Sequence, residues 1–322
     1  MAALPDTTLP ETVELSRVSV TDMETLLNEE IQVWDSRFSW DFRPSADLLR
    51  RFLQVQSLNG YALRAGHELL GYAYHVCEEH KGLIGDFYVR SAIGAASTEL
   101  LLLSAMVQDL MLTPGIRRIE SQLMLAHMPL AKSLPFGKYL TRHDRNFMEI
   151  SADAIRQLAP STNLPKVSFR PWAERYQEEI AHLISAAYRG HVDSEINDQY
   201  RTIPGARRFL MNIVKFPGCG RFSPAGSVVV LDDATGRVCG VCLASLVSAN
   251  SGHVTQLCVL PAMRGARIGY EALRQCLMQL IVLGCRSVSL TVTCSNIDAI
   301  RLYHSVGFKI TTNFPALVWE GF

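Results

Sequence analysis

The sequence carries no net charge: 31 Lys and Arg stand against 31 Asp and Glu in 322 residues. Such a balance gives no global field to hold nucleic acid or an anionic membrane. A local anion site is still allowed. No basic patch interleaved with aromatics marks a nucleic-acid module. No apolar run is long enough to span a bilayer, and the longest, Leu100–Leu112, is broken by Gln108 and Asp109. The first residues, Met1–Thr12, are rich in Pro and Thr with two acidic side chains. They lack the basic and apolar regions of a signal peptide and read as a flexible tail. There are 8 cysteines but no paired Cys/His arrangement. Cys239 and Cys242 have C-x-x-C spacing inside an apolar, strand-like run. On a regular strand residues three apart face opposite ways, and no second pair is near, so neither zinc nor redox chemistry is expected. The thiols read as reduced and buried, as in a cytoplasmic protein.

What is present is a globular composition, 48% hydrophobic and 19% charged, on a chain long enough for about two domains. Internal similarity supports two. Gly115–Leu123 aligns without gaps on Gly284–Val292, and Leu70–Ala73 on Cys239–Cys242. Asp86–Val89 falls on Gln256–Val259, and Gly137–Tyr139 on Gly307–Lys309. The first copy is expected over residues 13–150, a linker over 151–166 around Pro160 and Pro165, and the second copy over 167–322. Each reads in the order β-α-α-β-β-β-α-β-α-β, a mixed α/β unit with a central twisted sheet flanked by helices. In the first, helices are expected at Asp22–Val33, at Ser45–Gln56 with Ser45 as N-cap, and at Thr98–Leu112. In the second they are expected at Glu174–Tyr188, Ile268–Leu283 and Asn296–Val306.

The informative stretch runs from Val254 to Tyr270. A strand ends at Pro261, a loop containing Arg264, Gly265, Ala266, Arg267 and Gly269 follows, and an amphipathic helix opens near Ile268. Unpaired N–H groups at the positive end of a helix make an anion cradle. Glycine lets the backbone approach, and the two arginines add charge-assisted contacts. Arg267 is expected to take ordinary helical angles. About thirty residues on, Asn296 opens a short helix with Ala299, Leu302 and Tyr303 along it, and Gly307-Phe308 closes it. Asn296 and Tyr303, seven apart, share a face.

Together these motifs resemble the GNAT superfamily of acyl-CoA N-acyltransferases: its phosphate-binding R/Q-x-x-G-x-G/A and its N-x-x-A-x-x-L-Y-x-x-x-G-F signature. The resemblance covers Lys166–Phe322 well and reaches Val13–Ile150 through the repeat, in a tandem arrangement similar to that of mycothiol synthase. It implies acetyl-CoA, or another acyl-CoA, as co-substrate and no metal. The pantetheine arm would lie beside Leu257, Cys258 and Val259. The pyrophosphate would lie on Arg264–Gly269, and Asn296 would touch the arm. Tyr303 would protonate the departing thiolate while a neutral amine attacks directly.

The family's acidic residue on this strand is Gln256 here, which accepts no proton. His253 is expected on the opposite face, and His304 rotated away from Tyr303. The base is therefore sought in Tyr188–Arg201, which packs His191, Asp193, Tyr188 and Tyr200 into a short run. His191 and Asp193 are expected near the amine, with Tyr188, Tyr200 and Gln256 lining the acceptor side. In the first copy the loop counterpart, Ser91–Thr98, has one glycine and no arginine, Tyr303 is matched by Ser133, and Asp86 replaces Gln256. That copy reads as degenerate. The expected activity is an N-acetyltransferase for a small-molecule or peptidyl amine; the alternative is a non-catalytic acyl-CoA-binding protein. No nucleic-acid or membrane partner is expected.

Overall fold

The computed structural model describes residues 9–90, 95–127, 134–216 and 218–322. They form two compact units. The first takes the described residues up to Ser36, Phe42–His143 and Phe314–Phe322; the second takes Arg37–Asp41 and Asp144–Asn313.

In the first unit β1 (Glu11–Glu14) precedes α1 (Val20–Phe38) and α2 (Arg43–Gln54). α1 runs beyond the expected Val33 because Met23, Leu26, Leu27, Glu30 and Trp34 keep a buried stripe at 3- and 4-residue steps. Ser45 is not the N-cap of α2: Phe42 already has φ −81° and ψ −8°, and Pro44 occupies the first turn. Then come β2 (Asn59–Ala65), β3 (Glu68–Glu78), β4 (Lys81–Val89), α3 (Ala95–Leu112) and β5 (Arg118–Gln122). Strands β1 to β5 lie in sequence order, antiparallel except for the parallel pair β4/β5. Leu102, Leu103, Met106, Val107 and Leu110 of α3 are fully buried against this sheet. Its outermost strand comes from the far end of the chain. Ala316–Glu320 of β13 (Lys309–Glu320) pairs antiparallel with Arg118–Gln122 of β5.

The second unit repeats the plan. After β6 (Leu140–Ser151) come α4 (Ala152–Arg156), β7 (Val167–Pro171), α5 (Gln177–Ala187), α6 (Asp193–Ile196) and α7 (Ile203–Lys215). Then follow β8 (Arg221–Phe222), β9 (Val228–Asp232), β10 (Val238–Leu246), β11 (Ser251–Val259), α8 (Ile268–Val282), β12 (Ser287–Thr293) and α9 (Ile297–Val306). The sheet order is β6-β12-β11-β10-β9-β7, with β11/β12 parallel as β4/β5 are in the first unit. The segment 151–166 includes α4, capped by Ser151, whose hydroxyl accepts from the Ala154 amide, and anchored by buried Ile155.

α8 covers one sheet face with Ile268, Ala272, Leu273, Cys276, Leu277 and Leu280, all buried. Each such leucine is worth about 1.5–3 kcal/mol of burial. α5 and α7 cover the other face through Ile180, Ile184, Ala206 and Leu210. Two bulges reset side-chain directions. In β10 the pairing steps from Val238↔Leu231 to Gly240↔Val230, so Cys239 is the extra residue. Cys239 and Cys242 consequently join the same core beside α8, contrary to the opposite faces a regular strand gives. Both are free thiols, and among the described residues no group of three or more His, Cys, Asp or Glu is placed to hold a metal.

Candidate active site

β11 and β12 begin as parallel neighbours and then part. Pairing runs from Ser251↔Ser287 to Val254↔Leu290 and stops. β11 continues to Val259 on β10 alone, and β12 continues to Thr293 on β6 alone. The cause lies in β11, where Gln256 pairs Leu243 but Val254 pairs Ala244, so Thr255 is bulged. A bulge bends its strand away from its neighbour. The same bulge places His253 on the face of Gln256 and Cys258, correcting the expectation of opposite faces. His253 is nevertheless structural. It is 4% exposed, contacts Ser289 Oγ through Nδ1 at 2.9 Å, and packs edge-on to Trp40 at 4.9 Å. Burial, aided by Arg145, pulls its pKa down to about 3 and keeps it neutral.

Beyond the split lies the loop into α8. Gly265 has φ +78°, and Arg267, at the helix N-cap, has φ 60° and ψ 5°. Arg267 is therefore left-handed rather than helical, at the position where the family motif has glycine. No side chain caps this helix end, so its first amides are free to meet an anion. Arg267 is exposed; Arg264 Nη2 donates to the Ala187 carbonyl at 2.6 Å, tying the loop to the end of α5. Gly269 leaves ordinary van der Waals room, with Val259 Cγ2 3.7 Å from where a Cβ would sit.

The splayed strands and the loop enclose a cavity of about 940 Å³. Leu257, Cys258, Val259, Arg264, Gly265, Arg267, Ile268, Gly269 and Asn296 line it, and so do Tyr303, His191, Asp193, Tyr188, Tyr200 and Gln256. Ala266 alone among the expected residues does not line it and packs against the α8 core. Asn296 caps α9, its Oδ1 accepting from the Ala299 amide at 3.3 Å, while its Nδ2 lies 3.3 Å from His191 Nε2. One face of α9 then presents Tyr303, 8% exposed and edge-on to Phe308 at 5.8 Å. Burial raises the Tyr303 phenol well above its ordinary pKa, so the proton stays on. Gly307 ends α9 with φ 107°, and the Phe308 amide reaches back to the Tyr303 carbonyl at 3.0 Å. His304 points elsewhere, its Nδ1 3.2 Å from the Phe308 carbonyl oxygen.

The other wall comes from the run after α5. Tyr188 and Tyr200 stack at 4.6 Å, and the Tyr200 hydroxyl donates to Gln256 Oε1 at 3.5 Å. His191 Nδ1 accepts from the Asp193 amide at 3.2 Å and lies 3.7 Å from Asp193 Oδ2. Asp193 Oδ1 accepts a short hydrogen bond from Thr293 Oγ1. Burial pushes the Cys258 thiol up to about 12, so it is no thiolate nucleophile at neutral pH.

In the first unit, the loop counterpart Ser91–Gly94 and Ser133 lie outside the described residues. Asp86 belongs to a buried polar cluster. The Tyr72 hydroxyl lies 2.6 Å from Glu30 Oε2 and 3.3 Å from Asp86 Oδ2, and Trp34 Nε1 donates to Glu30 Oε1 at 3.1 Å. Glu30 is fully buried. Burial raises Glu30 well above the usual carboxylate range and lifts Asp86 to about 6.

Among the lining residues that the sequence did not point to, one is basic. Arg145 of β6 donates from Nη2 to Thr291 Oγ1 at 3.1 Å. Its strand is not evident in the sequence because Thr141–Asn146 is polar throughout; only Phe147, Met148 and Ile150 signal it. α7 is also missing from the sequence reading, although Thr202 as N-cap, Pro204 and the spacing of Ala206, Leu210 and Ile213 announce it.

Residues 178–308 match the model of the Acetyltransferase (GNAT) family. A GCN5-related N-acetyltransferase from Sphaerobacter thermophilus superposes over 99% of this chain and 97% of its own, with TM-score 0.62 and 15% identity. A tandem GNAT protein from the clavulanic acid biosynthesis pathway covers 97% of this chain and 98% of its own, with TM-score 0.62 and 13% identity. A glucosamine N-acetyltransferase region of a fungal multi-domain β-N-acetylglucosaminidase covers 97% of this chain and 38% of its own, with TM-score 0.63 and 14% identity. No curated protein matches the chain. Residues 178–308 are a GNAT-family segment, and the chain has the fold of GNAT acetyltransferases, tandem ones included. Its second unit is an acyltransferase-family domain. Among the described residues no helix is long and apolar enough to cross a membrane.

Proposed function

We propose that the second unit, Arg37–Asp41 with Asp144–Asn313, is an N-acetyltransferase that transfers the acetyl group of acetyl-CoA to a primary amine. The first unit serves as a non-catalytic partner. The observation that carries this reading is the convergence on one cavity of an uncapped helix end with two left-handed residues, a split between parallel strands, a protonated tyrosine, and a His–Asp pair. The fit to acetyl-CoA rests on the chain's own groups. The α8 amides and Arg267 hold the pyrophosphate, and the free edge of β11 from Gln256 to Val259 hydrogen-bonds an amide-bearing arm. Thioester chemistry then takes place beside Tyr303.

His191 and Asp193 bind the incoming ammonium and take its proton, and the neutral nitrogen attacks the thioester carbonyl. As the C–N bond forms and the C–S bond breaks, the nitrogen releases its second proton to solvent and Tyr303 gives its own proton to the sulfur. The products are an amide and a free thiol, and Tyr303 is reprotonated from solvent. The hydroxyl makes no hydrogen bond to another described residue, which leaves its proton available to the cavity. Gln256 orients Tyr200 and Tyr188 as the acceptor wall. The test is thiol release from acetyl-CoA across a panel of amines. Accepted amines should lose roughly 10- to 1000-fold in kcat/KM on His191→Ala or Asp193→Ala, with an altered pH–rate profile. If no amine releases thiol while acetyl-CoA still binds, the protein is a binder and not a transferase.

A further inference from the structure

Three buried polar groups on cavity-lining residues, Arg145 Nε, Thr255 Oγ1 and Gln256 Nε2, have no partner among the described residues. Arg145 Nε and Gln256 Nε2 are both shielded from solvent without a protein acceptor. Gln256 is 5% exposed, and both residues line the cavity. Arg145 bonds only the side chain and carbonyl of Thr291, at 3.1 and 3.5 Å, and none of the described carboxylates pairs with it. A shielded N–H on a half-buried guanidinium with no counter-anion is a donor that a ligand can satisfy.

Register places Arg145 and Gln256 on one face. Arg145 sits opposite Thr293, and Phe147 opposite Thr291. Phe147 lies over His253 with centroids 6.3 Å apart and planes at 14°, and the Thr255 bulge puts His253 on the side of Gln256. Thr293 also anchors Asp193, while Thr291 anchors the Arg145 guanidinium. Residues two apart on a strand are separated by about 7 Å. The cavity therefore offers a carboxylate at one threonine and a guanidinium at the next.

We infer that the acceptor is an amine that also carries an anionic group, a carboxylate or a phosphate, a few bonds from its nitrogen, and that Arg145 is the residue selecting it. The inference rests on the acyl-transfer reading above. Asp193 takes the ammonium end, Arg145 takes the anion in charge-assisted hydrogen bonds, and Gln256 Nε2 adds a neutral donor. The fork geometry of a guanidinium suits either anion, where a lysine would act only as a point charge.

The experiment compares matched acceptors on the full-length protein: glycine, β-alanine and γ-aminobutyrate against their carboxamides, and phosphoethanolamine against ethanolamine. The wild type should prefer the anionic member of at least one pair by roughly 10- to 100-fold in kcat/KM. The pair that shows it identifies carboxylate or phosphate. Arg145→Gln should erase the preference, mainly through KM for the amine, with the acetyl-CoA dissociation constant unchanged and the melting temperature no lower. Arg145→Lys should retain part of it. Equal use of charged and neutral partners by the wild type overturns the inference while leaving acyl transfer intact. So does an Arg145→Gln effect on acetyl-CoA binding with none on the amine. If every amine fails, acyl transfer and this inference fall together.

Discussion

Arg267 gives a prediction with opposite signs in two assays. A non-glycine residue in the left-handed region costs about 1–2 kcal/mol, and Arg267 sits there at φ 60°. Replacing it by glycine removes that cost but frees the unfolded chain, which takes back roughly 0.4–1 kcal/mol. Arg267→Gly should therefore raise the stability of the free protein by about 0 to 1.5 kcal/mol, or by up to a few degrees in melting temperature. Arg267→Ala keeps the backbone cost and should stay within about 0.5 kcal/mol of the parent, because the side chain is exposed. Both variants lose the guanidinium, and acetyl-CoA affinity by calorimetry should drop roughly 3- to 30-fold in each, a solvent-screened charge contact. Gly265→Glu combined with Gly269→Glu, which puts carboxylates in the anion cradle, should abolish binding. Arg267→Gly melting below Arg267→Ala would refute the argument from backbone conformation. Unchanged affinity in both would remove the side chain from cofactor binding.

Tyr303→Phe should lower turnover by roughly 10- to 1000-fold with little change in acetyl-CoA affinity, as for loss of a proton donor. Because burial raises the Tyr303 phenol, turnover should show no tyrosine-dependent fall as pH rises through the ordinary phenol range near 10; a fall there in the wild type but not in the Phe variant would contradict it. The Glu30–Asp86 pair should make stability depend on pH. Below about pH 4 both folded and unfolded carboxyls are protonated. Above it the unfolded chain releases its protons while the folded pair, with Asp86 at about 6 and Glu30 raised further, holds them. Stability contributed by the pair is therefore present below pH 4 and is lost as pH rises through 6. Glu30→Gln should flatten the decline in melting temperature between pH 5 and pH 8; an unchanged decline would place its origin elsewhere.

The sequence was most legible where short-range rules operate. The run from Val254 to Gly269 and the Asn296–Phe308 motif read off directly as strand, loop, helix and capped helix, because capping, glycine and periodicity are local. β12 lies at Ser287–Thr293 as expected. The repeat also survived, since β4/β5 and β11/β12 share one parallel register. Bulges were not legible: nothing local at Cys239 or Thr255 announces an extra residue, so face assignments for the C-x-x-C pair and for His253 came out reversed. The Arg267 conformation was missed for a similar reason, since arginine ordinarily avoids that region and only the surrounding loop imposes it. Arg145 was hidden because its polar strand acquires meaning only through pairing with β12. The Glu30–Tyr72–Asp86 cluster joins residues far apart in sequence, which no motif connects.

The exchanged outer strands have a consequence for how the protein is made. The sheet of the first unit is completed by Ala316–Glu320, and that of the second by β6. During synthesis the first unit cannot close its sheet until Ala316–Glu320, almost two hundred residues beyond β5, has left the ribosome. The edge of β5 meanwhile stays open to other strands. The second unit, by contrast, has β6 in hand before its own strands appear. Maturation therefore does not follow the order of translation: the first unit, though made first, waits for a strand that follows the second. A cut at the apparent boundary between the copies would strand each outer strand with the wrong half.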